Sequence, residues 1–179
     1  MTTTSDLRLH IIPSVELSAE QRQAIIGLCN RAYDEDLTSL FDTFSGTHIL
    51  GFLGEVLVTH AMWVTRWLQV DNKPLLRTAY VELVATEAMF RSRGFASAVM
   101  HRLAAEVADF DIAALSPFSA AYYARLGWQA WQGSLHIRKG TELLPTPDDE
   151  EVMILQLPNT PDIDLSDTLS VEWREGEVW

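Results

Sequence analysis

The sequence predicts an α/β protein with a central mixed, mostly antiparallel sheet that is flanked by helices. Two observations predict this class. Three extended runs, joined by short turns, follow one another in the first half of the chain and predict an antiparallel meander. A strand, a helix and a second strand then follow, a connection that brings two strands parallel. The 179 residues suit one domain, so we expect a single domain over residues 1–179 with an acidic extension over about residues 142–179.

The first elements are defined by short local signals. Residues 7–12 alternate between apolar and polar side chains and stop at Pro13, which predicts a strand. Ser18 is a suitable N-cap for a helix whose apolar residues recur at helical spacing, and this pattern is broken at residues 34–36. A short second helix is predicted before Gly46.

The meander and the helix after it carry stronger periodic signals. Residues 49–53 and 56–67 predict a β-hairpin through Gly54-Glu55, and a turn at 71–74 leads to a third strand over 76–85. Residues 94–107 form one apolar helical stripe. The remaining predicted elements are a strand at 111–115, a helix at 119–126, an extended segment at 128–138, a strand at 152–157 and an edge strand at 169–173.

The charge of the chain restricts its partners. There are 25 acidic and 13 basic residues, a formal net charge of -12. Such a surplus repels phosphate backbones and anionic lipid headgroups, so we expect no nucleic-acid and no membrane partner, and a cationic ligand fits better. From Glu142 to Trp179 there are 11 acidic residues and one basic residue, Arg174. Most of the surplus negative charge therefore lies in the last 38 residues.

Several classes of site are disfavoured. Cys29 is the only cysteine, which leaves no intrachain disulfide and no cysteine-based metal cluster, and its helical apolar setting is typical of a core residue. The five histidines lack metal-ligand spacing, so no metal is expected. The first residues do not resemble a signal peptide, and no apolar run approaches the ~18 residues of a membrane span. A cytoplasmic location is predicted.

One short segment carries the features of an anion site. Residues 91–96 (Arg91, Ser92, Arg93, Gly94, Phe95 and Ala96) join the third long strand to the apolar helix. Such a junction directs unpaired backbone N–H groups and the positive end of the helix dipole at one point. Gly94 permits close approach of the backbone, and the two arginines add positive charge. The ligand predicted here is a phosphate or a pyrophosphate, although neither a dinucleotide-binding fingerprint nor a P-loop is present.

At this junction the sequence resembles the GNAT superfamily of N-acetyltransferases, and within it the aminoglycoside 2'-N-acetyltransferases. The similar segments are 80–85, 91–96, 114–116, 123–128, 146–149 and 173–179. The ending Trp-Arg-Glu-Gly-Glu-Val-Trp is the most specific of them. The resemblance implies a GNAT acyltransferase fold, acetyl-CoA as the cofactor, and N-acetylation of an aminoglycoside at its 2'-amine by direct attack on the thioester, which gives antibiotic resistance.

The resemblance also implies roles for individual residues. Leu83, Val84 and Ala85 would hold acetyl-CoA through the backbone, and residues 91–96 would take the pyrophosphate. Glu82 would act as the base that removes a proton from the amine. Tyr123 would protonate the departing thiolate, although its neighbour Tyr122 stays open as the alternative.

The amine substrate would be bound mainly by acidic residues. The matching positions are Asp36, Glu82, Ser116, Asp149, Glu177 and Trp179. Glu177 stands where the family usually has aspartate, and residues 34–38 and 116–123 also depart from the pattern, which bears on drug specificity. Another cationic amine, such as a polyamine or a peptide amine, is the first alternative substrate, and a non-catalytic acetyl-CoA sensor is the second. A homodimer is predicted from apolar Trp173 and the alternating segments at Val152 and Leu169, taken as a sheet edge.

Overall fold

The computed structural model describes residues 6–176 and 178–179, so Glu177, a predicted substrate ligand, lies outside the described residues. The chain divides into two compact units. The first unit comprises the residues up to Val64 together with Val81–Ala105, and the second comprises Thr65–Tyr80 and Glu106–Trp179.

The first unit contains three strand segments of a meander, one strand that precedes them, and three helices. In chain order these are β1 (Leu7–Pro13), α1 (Ala19–Tyr33), α2 (Thr38–Thr43), β2 (Thr47–Leu53), most of β3 (Val56–Val70), the second half of β4 (Leu76–Thr86) and nearly all of α3 (Phe95–Glu106). β2 pairs antiparallel with both β1 and β3. The predicted first strand, both first helices and the hairpin are therefore confirmed.

Helix α1 begins and ends as its sequence predicts. The Ser18 side chain accepts a hydrogen bond from the backbone of Gln21, and the Gln21 side chain accepts one from the backbone of Ser18, which completes a capping box. At the other end Asp34 adopts a left-handed conformation with φ 57° and stops the helix. The buried face of α1 carries Ile25, Leu28 and Cys29, so Cys29 is a core residue as expected.

The second unit contains the remaining strands and one short helix. These are the first half of β4, the end of β3, β5 (Ile112–Leu115), α4 (Ala120–Ala124), β6 (Gln129–Ala130), β7 (Leu135–Lys139), β8 (Glu142–Pro145), β9 (Met153–Gln156) and β10 (Leu169–Glu172). Their order in the sheet is β6-β9-β5-β4-β3-β10-β7-β8. β4 and β5 are parallel, as the predicted crossover requires, and β10 and β7 are also parallel. β9 pairs antiparallel with β5 and β6, and β8 with β7, so the sheet is mixed.

The predicted extended segment at 128–138 is wrong in its middle. It consists of β6 and β7, separated by residues 131–134. At Gly133 the chain passes so close to another backbone segment that an added Cβ would lie 1.8 Å from the carbonyl oxygen of Asp167. The backbone N–H of Gly133 donates to the Leu165 carbonyl. At this point the chain is therefore hydrogen-bonded to a loop and not to a neighbouring strand. Strand β8, which pairs with β7 across a turn at Gly140, is absent from the sequence prediction.

The prediction that residues 169–173 form an edge strand is also wrong. β10 lies between β3 and β7, and Leu169, Ser170 and Val171 are buried. β9, at the Val152 segment, likewise lies between β5 and β6. The sheet-edge argument for a homodimer therefore does not hold, because both of its strands already have two partners. The homodimer itself stays a prediction.

Among residues 6–176 and 178–179, no helix combines the length and apolar character needed to cross a membrane.

Candidate active site

The anion-binding segment of the first unit forms a tight turn between β4 and α3. After β4, a single 3-10 turn (Ala88–Phe90) leads to Ser92 and Gly94, which have positive φ angles of 61° and 81°. The Gly94 carbonyl accepts the N–H of Ala98 at 2.9 Å, so α3 begins here. Because the first N–H groups of a helix have no partner within the helix, they are available to an anion.

The two arginines of this turn are held in different ways. The Arg91 guanidinium donates to the carbonyl oxygens of Thr86 (3.3 Å) and Ala32 (3.2 Å), so it braces the turn against the end of β4 and the end of α1. The Arg93 guanidinium lies over the Phe90 ring at 5.3 Å. Both side chains are exposed. A helix N-terminus flanked by two exposed guanidinium groups is a donor set that fits the pyrophosphate of acetyl-CoA.

The end of β4 is fixed from its carbonyl side. Leu83 has a positive φ of 52° in mid-strand, which a β-branched or bulky residue rarely adopts and which rotates the adjacent peptide groups. Three side chains donate hydrogen bonds to three successive carbonyl oxygens of this segment: His60 Nδ1 to Leu83 (2.7 Å), Tyr33 Oη to Val84 (3.0 Å) and Thr59 Oγ1 to Ala85 (3.1 Å). The predicted cofactor-binding residues therefore lie in a segment whose conformation is set by side chains.

The predicted base, Glu82, lies in the same segment. It is half-buried, and its neighbours Val81 and Leu83 are buried. A carboxylate that is partly withdrawn from water is suited to collecting a proton from an ammonium group. The carboxylate of Glu87, just after the end of β4, pairs with the Arg31 guanidinium.

The first unit gives Asp36 a local role. Asp36 Oδ1 accepts hydrogen bonds from the backbone N–H of Thr38 (3.0 Å) and from Thr38 Oγ1 (2.6 Å) at the start of α2. These hydrogen bonds lower the pKa of the exposed carboxyl. The position therefore orders the α1–α2 connection, and its predicted contact with substrate stays a prediction.

In the second unit, the loop between β8 and β9 forms a wall of an acidic cavity of about 390 Å³. Three carboxylate residues of this loop, Asp148, Glu150 and Glu151, line it. The apolar part of the lining includes Trp131, Val152 and Met153, all of which are buried. The size falls within the usual range of small-molecule sites, and the lining combines apolar surface with carboxylates, which suits a cationic ligand.

Two of the predicted substrate residues lie on or beside this cavity. Ser116 donates a hydrogen bond to Glu150 Oε1 at 2.7 Å, so it orients one of the lining carboxylates. Asp149 is exposed on the same loop and does not line the cavity, whereas its neighbours Asp148 and Glu150 do. Asp149 therefore lies on the loop that forms a wall of the cavity, and its own contact with substrate stays a prediction.

The C-terminal residues are fixed to the second unit by two hydrogen bonds. Trp179 is 6% exposed, and its indole Nε1 donates to Thr146 Oγ1 at 2.7 Å. Thr146 lines the cavity. The Arg66 guanidinium donates to the Val178 carbonyl at 2.8 Å. Trp179 therefore supports the cavity wall through Thr146.

Arg66 is a residue of this region that the motifs do not identify. It is 4% exposed and donates to both the carboxylate (2.8 Å) and the backbone carbonyl (2.7 Å) of Glu172, and its guanidinium lies 5.5 Å from the Tyr80 ring centroid. The available signal is strand alternation, which places Arg66 in the same phase as buried Val64 and Leu68. A charge on the buried face of a strand requires a partner.

Tyr123 and Tyr122 occupy different environments on α4. Tyr123 is 7% exposed, and its ring packs edge-to-face against Trp128 with the centroids 6.0 Å apart. Burial raises the pKa of Tyr123 to about 12. Tyr122 is half-buried and lies under the Arg125 guanidinium at 5.9 Å. At neutral pH the Tyr123 hydroxyl therefore stays protonated and can donate a hydrogen bond.

A family model described as "Acetyltransferase (GNAT) domain" matches residues 17–131. The chain belongs to the GNAT acetyltransferase family. This stretch runs from α1 through β6 and contains both Glu82 and the 91–96 turn. Membership confirms the predicted acetyltransferase family and acetyl-CoA as the cofactor, and the residues of the turn fit that cofactor.

Curated and solved relatives support the same assignment. An aminoglycoside 2'-N-acetyltransferase of Mycolicibacterium fortuitum is 27% identical over 180 residues, which cover 94% of this chain and 90% of the relative. A GNAT family N-acetyltransferase from Escherichia coli (YhbS), solved in complex with CoA, has a TM-score of 0.68 at 16% identity over 98% of this chain and 94% of that protein. An acyl-CoA N-acyltransferase from Pseudomonas aeruginosa has a TM-score of 0.61 at 14% identity over 83% of this chain and 99% of that protein. The predicted GNAT fold is confirmed.

Some matched structures are much longer than this GNAT chain. Eis1 from Mycobacterium abscessus has a TM-score of 0.61 at 19% identity over 72% of this chain, and the chain covers 32% of that protein. Two further structures are covered to 33% and 35% of their length. For these proteins the likeness concerns the acetyltransferase fold alone.

Proposed function

We propose that this GNAT protein transfers the acetyl group of acetyl-CoA to the 2'-amine of a polycationic aminoglycoside, and thereby gives antibiotic resistance. The observation that carries the proposal is the acidic cavity of the second unit, lined by Asp148, Glu150 and Glu151. Its carboxylates complement the ammonium groups of such a drug, and its volume of about 390 Å³ accommodates one aminosugar ring. The similarity to the Mycolicibacterium fortuitum enzyme supports the choice of drug class and position.

The cofactor side of the proposal rests on the first unit. When bound, acetyl-CoA supplies the acetyl group as a thioester. Residues 91–96 would bind its pyrophosphate through the first N–H groups of α3 and the charge of Arg91 and Arg93. Residues 83–85 would hold it through backbone hydrogen bonds, in which N–H groups near Val84 also polarise the thioester carbonyl.

The chemistry requires two protons to leave the ammonium nitrogen, one before and one after it attacks, and one proton to reach the sulfur. The substrate ammonium first gives a proton to Glu82, directly or through one water, and the free amine then attacks the carbonyl carbon. A C–N bond would form, the attacking nitrogen would give its second proton to water, and the C–S bond would break, so that the sulfur would leave with the electron pair. Tyr123 stabilises that sulfur with a hydrogen bond from its hydroxyl. Full proton transfer from a phenol with a pKa of about 12 to the thiolate of a thiol with a pKa of ~8.5 is uphill, so the proton finally comes from solvent.

Neutralising one ammonium by acetylation removes a positive charge and hydrogen-bond donors from the drug. The drug's binding to an anionic RNA target weakens for that reason. Binding of Asp36, Ser116, Asp149, Glu177 and Trp179 to the amine substrate, directly or through neighbours, remains part of the proposal. The homodimer and the cytoplasmic location also remain predictions.

The test is CoA thiol release with purified protein, acetyl-CoA and a panel of amines. The panel pairs aminoglycosides that have a 2'-amine with those that have a 2'-hydroxyl, and adds a polyamine and a lysine-containing peptide. We expect turnover only with the 2'-amine drugs. Equal turnover of both drug groups would contradict the 2' position, and turnover of the polyamine or peptide alone would establish a different acceptor. Binding of acetyl-CoA without thiol release from any amine would indicate a sensor.

A further inference from the structure

A chain of hydrogen bonds crosses the interior of the first unit and ends on the cofactor-binding strand. Ser14 Oγ lies 2.9 Å from His48 Nε2, His48 Nδ1 lies 2.9 Å from His60 Nε2, and His60 Nδ1 lies 2.7 Å from the Leu83 carbonyl oxygen. His48 is 1% exposed and His60 is 0% exposed. All four ring nitrogens are therefore engaged.

The direction of every bond in this chain follows from its last acceptor. A carbonyl oxygen can only accept, so His60 Nδ1 carries the hydrogen that binds Leu83. In a neutral imidazole, His60 Nε2 must then accept from His48 Nδ1, and His48 Nε2 must accept from the Ser14 hydroxyl. Ser14 Oγ in turn accepts the N–H of Gly46 at 3.0 Å. With both rings neutral, each histidine is therefore the Nδ1–H tautomer, and the single Ser14 hydroxyl hydrogen goes to His48 Nε2 in preference to the Gly46 carbonyl oxygen, which lies 3.0 Å from Ser14 Oγ.

The burial of the pair is consistent with this neutral form. Burial lowers the pKa of His48 to about 4 and, together with the neighbouring His48, lowers that of His60 to about 3. At neutral pH neither ring carries a charge. A neutral pair can be buried at low cost only while each nitrogen keeps its hydrogen bond, so its geometry is tightly constrained.

The hydrogen-bonded array ends at Leu83, the residue of β4 that has a positive φ angle. Leu83 holds φ 52° within β4 and lies next to Glu82 and Val84. A strained mid-strand conformation persists only when its surroundings determine it. The His60 hydrogen bond on the Leu83 carbonyl supplies that determination from the core.

We propose that the His48–His60 pair is a positioning element that sets the conformation of the β4 segment and thereby its binding of acetyl-CoA. Neither histidine touches a reacting atom; each acts through the Leu83 peptide group. The inference rests on the proposed binding of acetyl-CoA to residues 83–85 and is independent of the identity of the amine.

A Cys–His nucleophilic pair is a different use of the same histidine, and the geometry argues against it. Cys29 Sγ lies 3.8 Å from His60 Nδ1, the nitrogen whose hydrogen is already donated to Leu83. Burial raises the pKa of the Cys29 thiol to about 12, so the thiolate is not formed near neutral pH.

The first experiment measures the Kd of acetyl-CoA by calorimetry for three variants of the full chain. His60→Leu removes the donor to Leu83, and we expect Kd to rise about fivefold to tenfold, the range that one lost hydrogen bond produces. His60→Asn keeps an N–H near the Nδ1 position, and Kd should return to within about threefold of wild type. His10→Leu, an exposed histidine on β1, is the matched control and should leave Kd unchanged.

Kinetics and spectroscopy separate positioning from general stability. We expect His60→Leu to raise the KM for acetyl-CoA while the KM for the amine stays within about twofold of wild type. In the wild-type protein, nitrogen-15 spectra at pH 7 should show both histidines as Nδ1–H tautomers, with the His60 signal shifting when CoA is added. That measurement needs no variant and so remains decisive if His60→Leu does not fold.

Three results would overturn the positioning role. They are an unchanged Kd in folded His60→Leu, an Asn variant no better than the Leu variant, or a wild-type His60 signal that does not respond to CoA. If the wild-type protein binds acetyl-CoA and any of these three results is found, only the positioning role is lost. If wild type does not bind acetyl-CoA at all, the proposed function and the positioning role both fail.

Discussion

The two candidate binding regions differ in the sign of their charge and in how the chain assembles it. The basic turn of the first unit comes from consecutive residues, 91–96, with charge from Arg91 and Arg93 and from the N-terminus of α3. The acidic cavity of the second unit is built from residues 120–153, and its wall is supported by Trp179. A contiguous turn follows from a short motif, whereas the cavity depends on segments that only folding brings together.

The largest predicted effect concerns Glu82 of the first unit. Glu82→Gln removes the proposed base, so kcat/KM should fall by ~100-fold to ~10,000-fold, the usual contribution of a general base. The loss should be greatest at low pH, where more of the amine must be deprotonated. A pH–rate profile with the best amine of the panel measures it. Glu55→Gln, an exposed residue in the β2–β3 turn, is the control, and a pH-independent loss would remove Glu82 from the base role.

The second prediction concerns how the second unit holds its C-terminal segment. Arg66→Met removes the hydrogen bonds to Glu172 and Val178, so the free energy of unfolding should fall by about 2–3 kcal/mol. Urea unfolding measures the change. Arg8→Met breaks an exposed ion pair with Glu55 and should cost about 0.5 kcal/mol or less. Equal losses in the two variants would show that the Arg66 anchor contributes little.

The first unit buries the neutral histidines His48 and His60, whereas the second unit buries the charged Arg66. The stability of the first unit therefore depends on pH through protonation of these histidines. The pKa values of His48 and His60 are lowered to about 4 and about 3, below their unfolded value of 6.5. Below pH 6.5 the unfolded chain therefore binds more protons than the folded chain. The contribution of the two neutral histidines to the free energy of unfolding is complete above pH 6.5 and is lost as the pH falls through 4 toward 3. We expect the double variant, H48N with H60N, to lack this pH dependence, so that between pH 7 and pH 3 its free energy of unfolding falls several kcal/mol less than that of wild type. Parallel stability–pH curves for the two proteins would contradict it.

A smaller effect is expected at the paired tyrosines of α4. Tyr123→Phe removes the hydroxyl proposed to stabilise the leaving sulfur, and kcat should fall by about tenfold, the value of one hydrogen bond to a developing charge. Tyr122→Phe, on the half-buried neighbour, is the matched control and should change kcat by less than about twofold. Steady-state thiol release distinguishes them. The reverse result would assign the role to Tyr122.

The parts of the fold that the sequence predicts correctly are those with local signals. The N-cap residue Ser18, the β2–β3 hairpin and the apolar stripe of α3 each depend on neighbouring residues. The errors arise where tertiary contacts decide. The interruption at Gly133 comes from close approach of residue 167, and β10 becomes internal because two distant strands pair with it.

The same distinction holds for the candidate sites. The basic turn and the Glu82 segment follow from a continuous motif. The His48–His60 pair does not, because the two residues lie 12 positions apart and are brought together diagonally by β2–β3 pairing, in which His48 faces Met62 and Leu50 faces His60. The anchor of the C-terminal segment joins Arg66 to Val178, 112 positions away, and carries no sequence signal beyond strand phase.

The most direct test of the division between an anion-binding and a cation-binding region is a crossed measurement of KM. Steady-state thiol release would be recorded for Arg93→Gln and for Glu151→Gln, varying acetyl-CoA and the 2'-amine drug in turn. We predict that Arg93→Gln raises the KM for acetyl-CoA about fivefold with little change for the drug, and that Glu151→Gln does the reverse. Equal changes in both KM values for either variant, or exchanged effects, would contradict the assignment of the two regions.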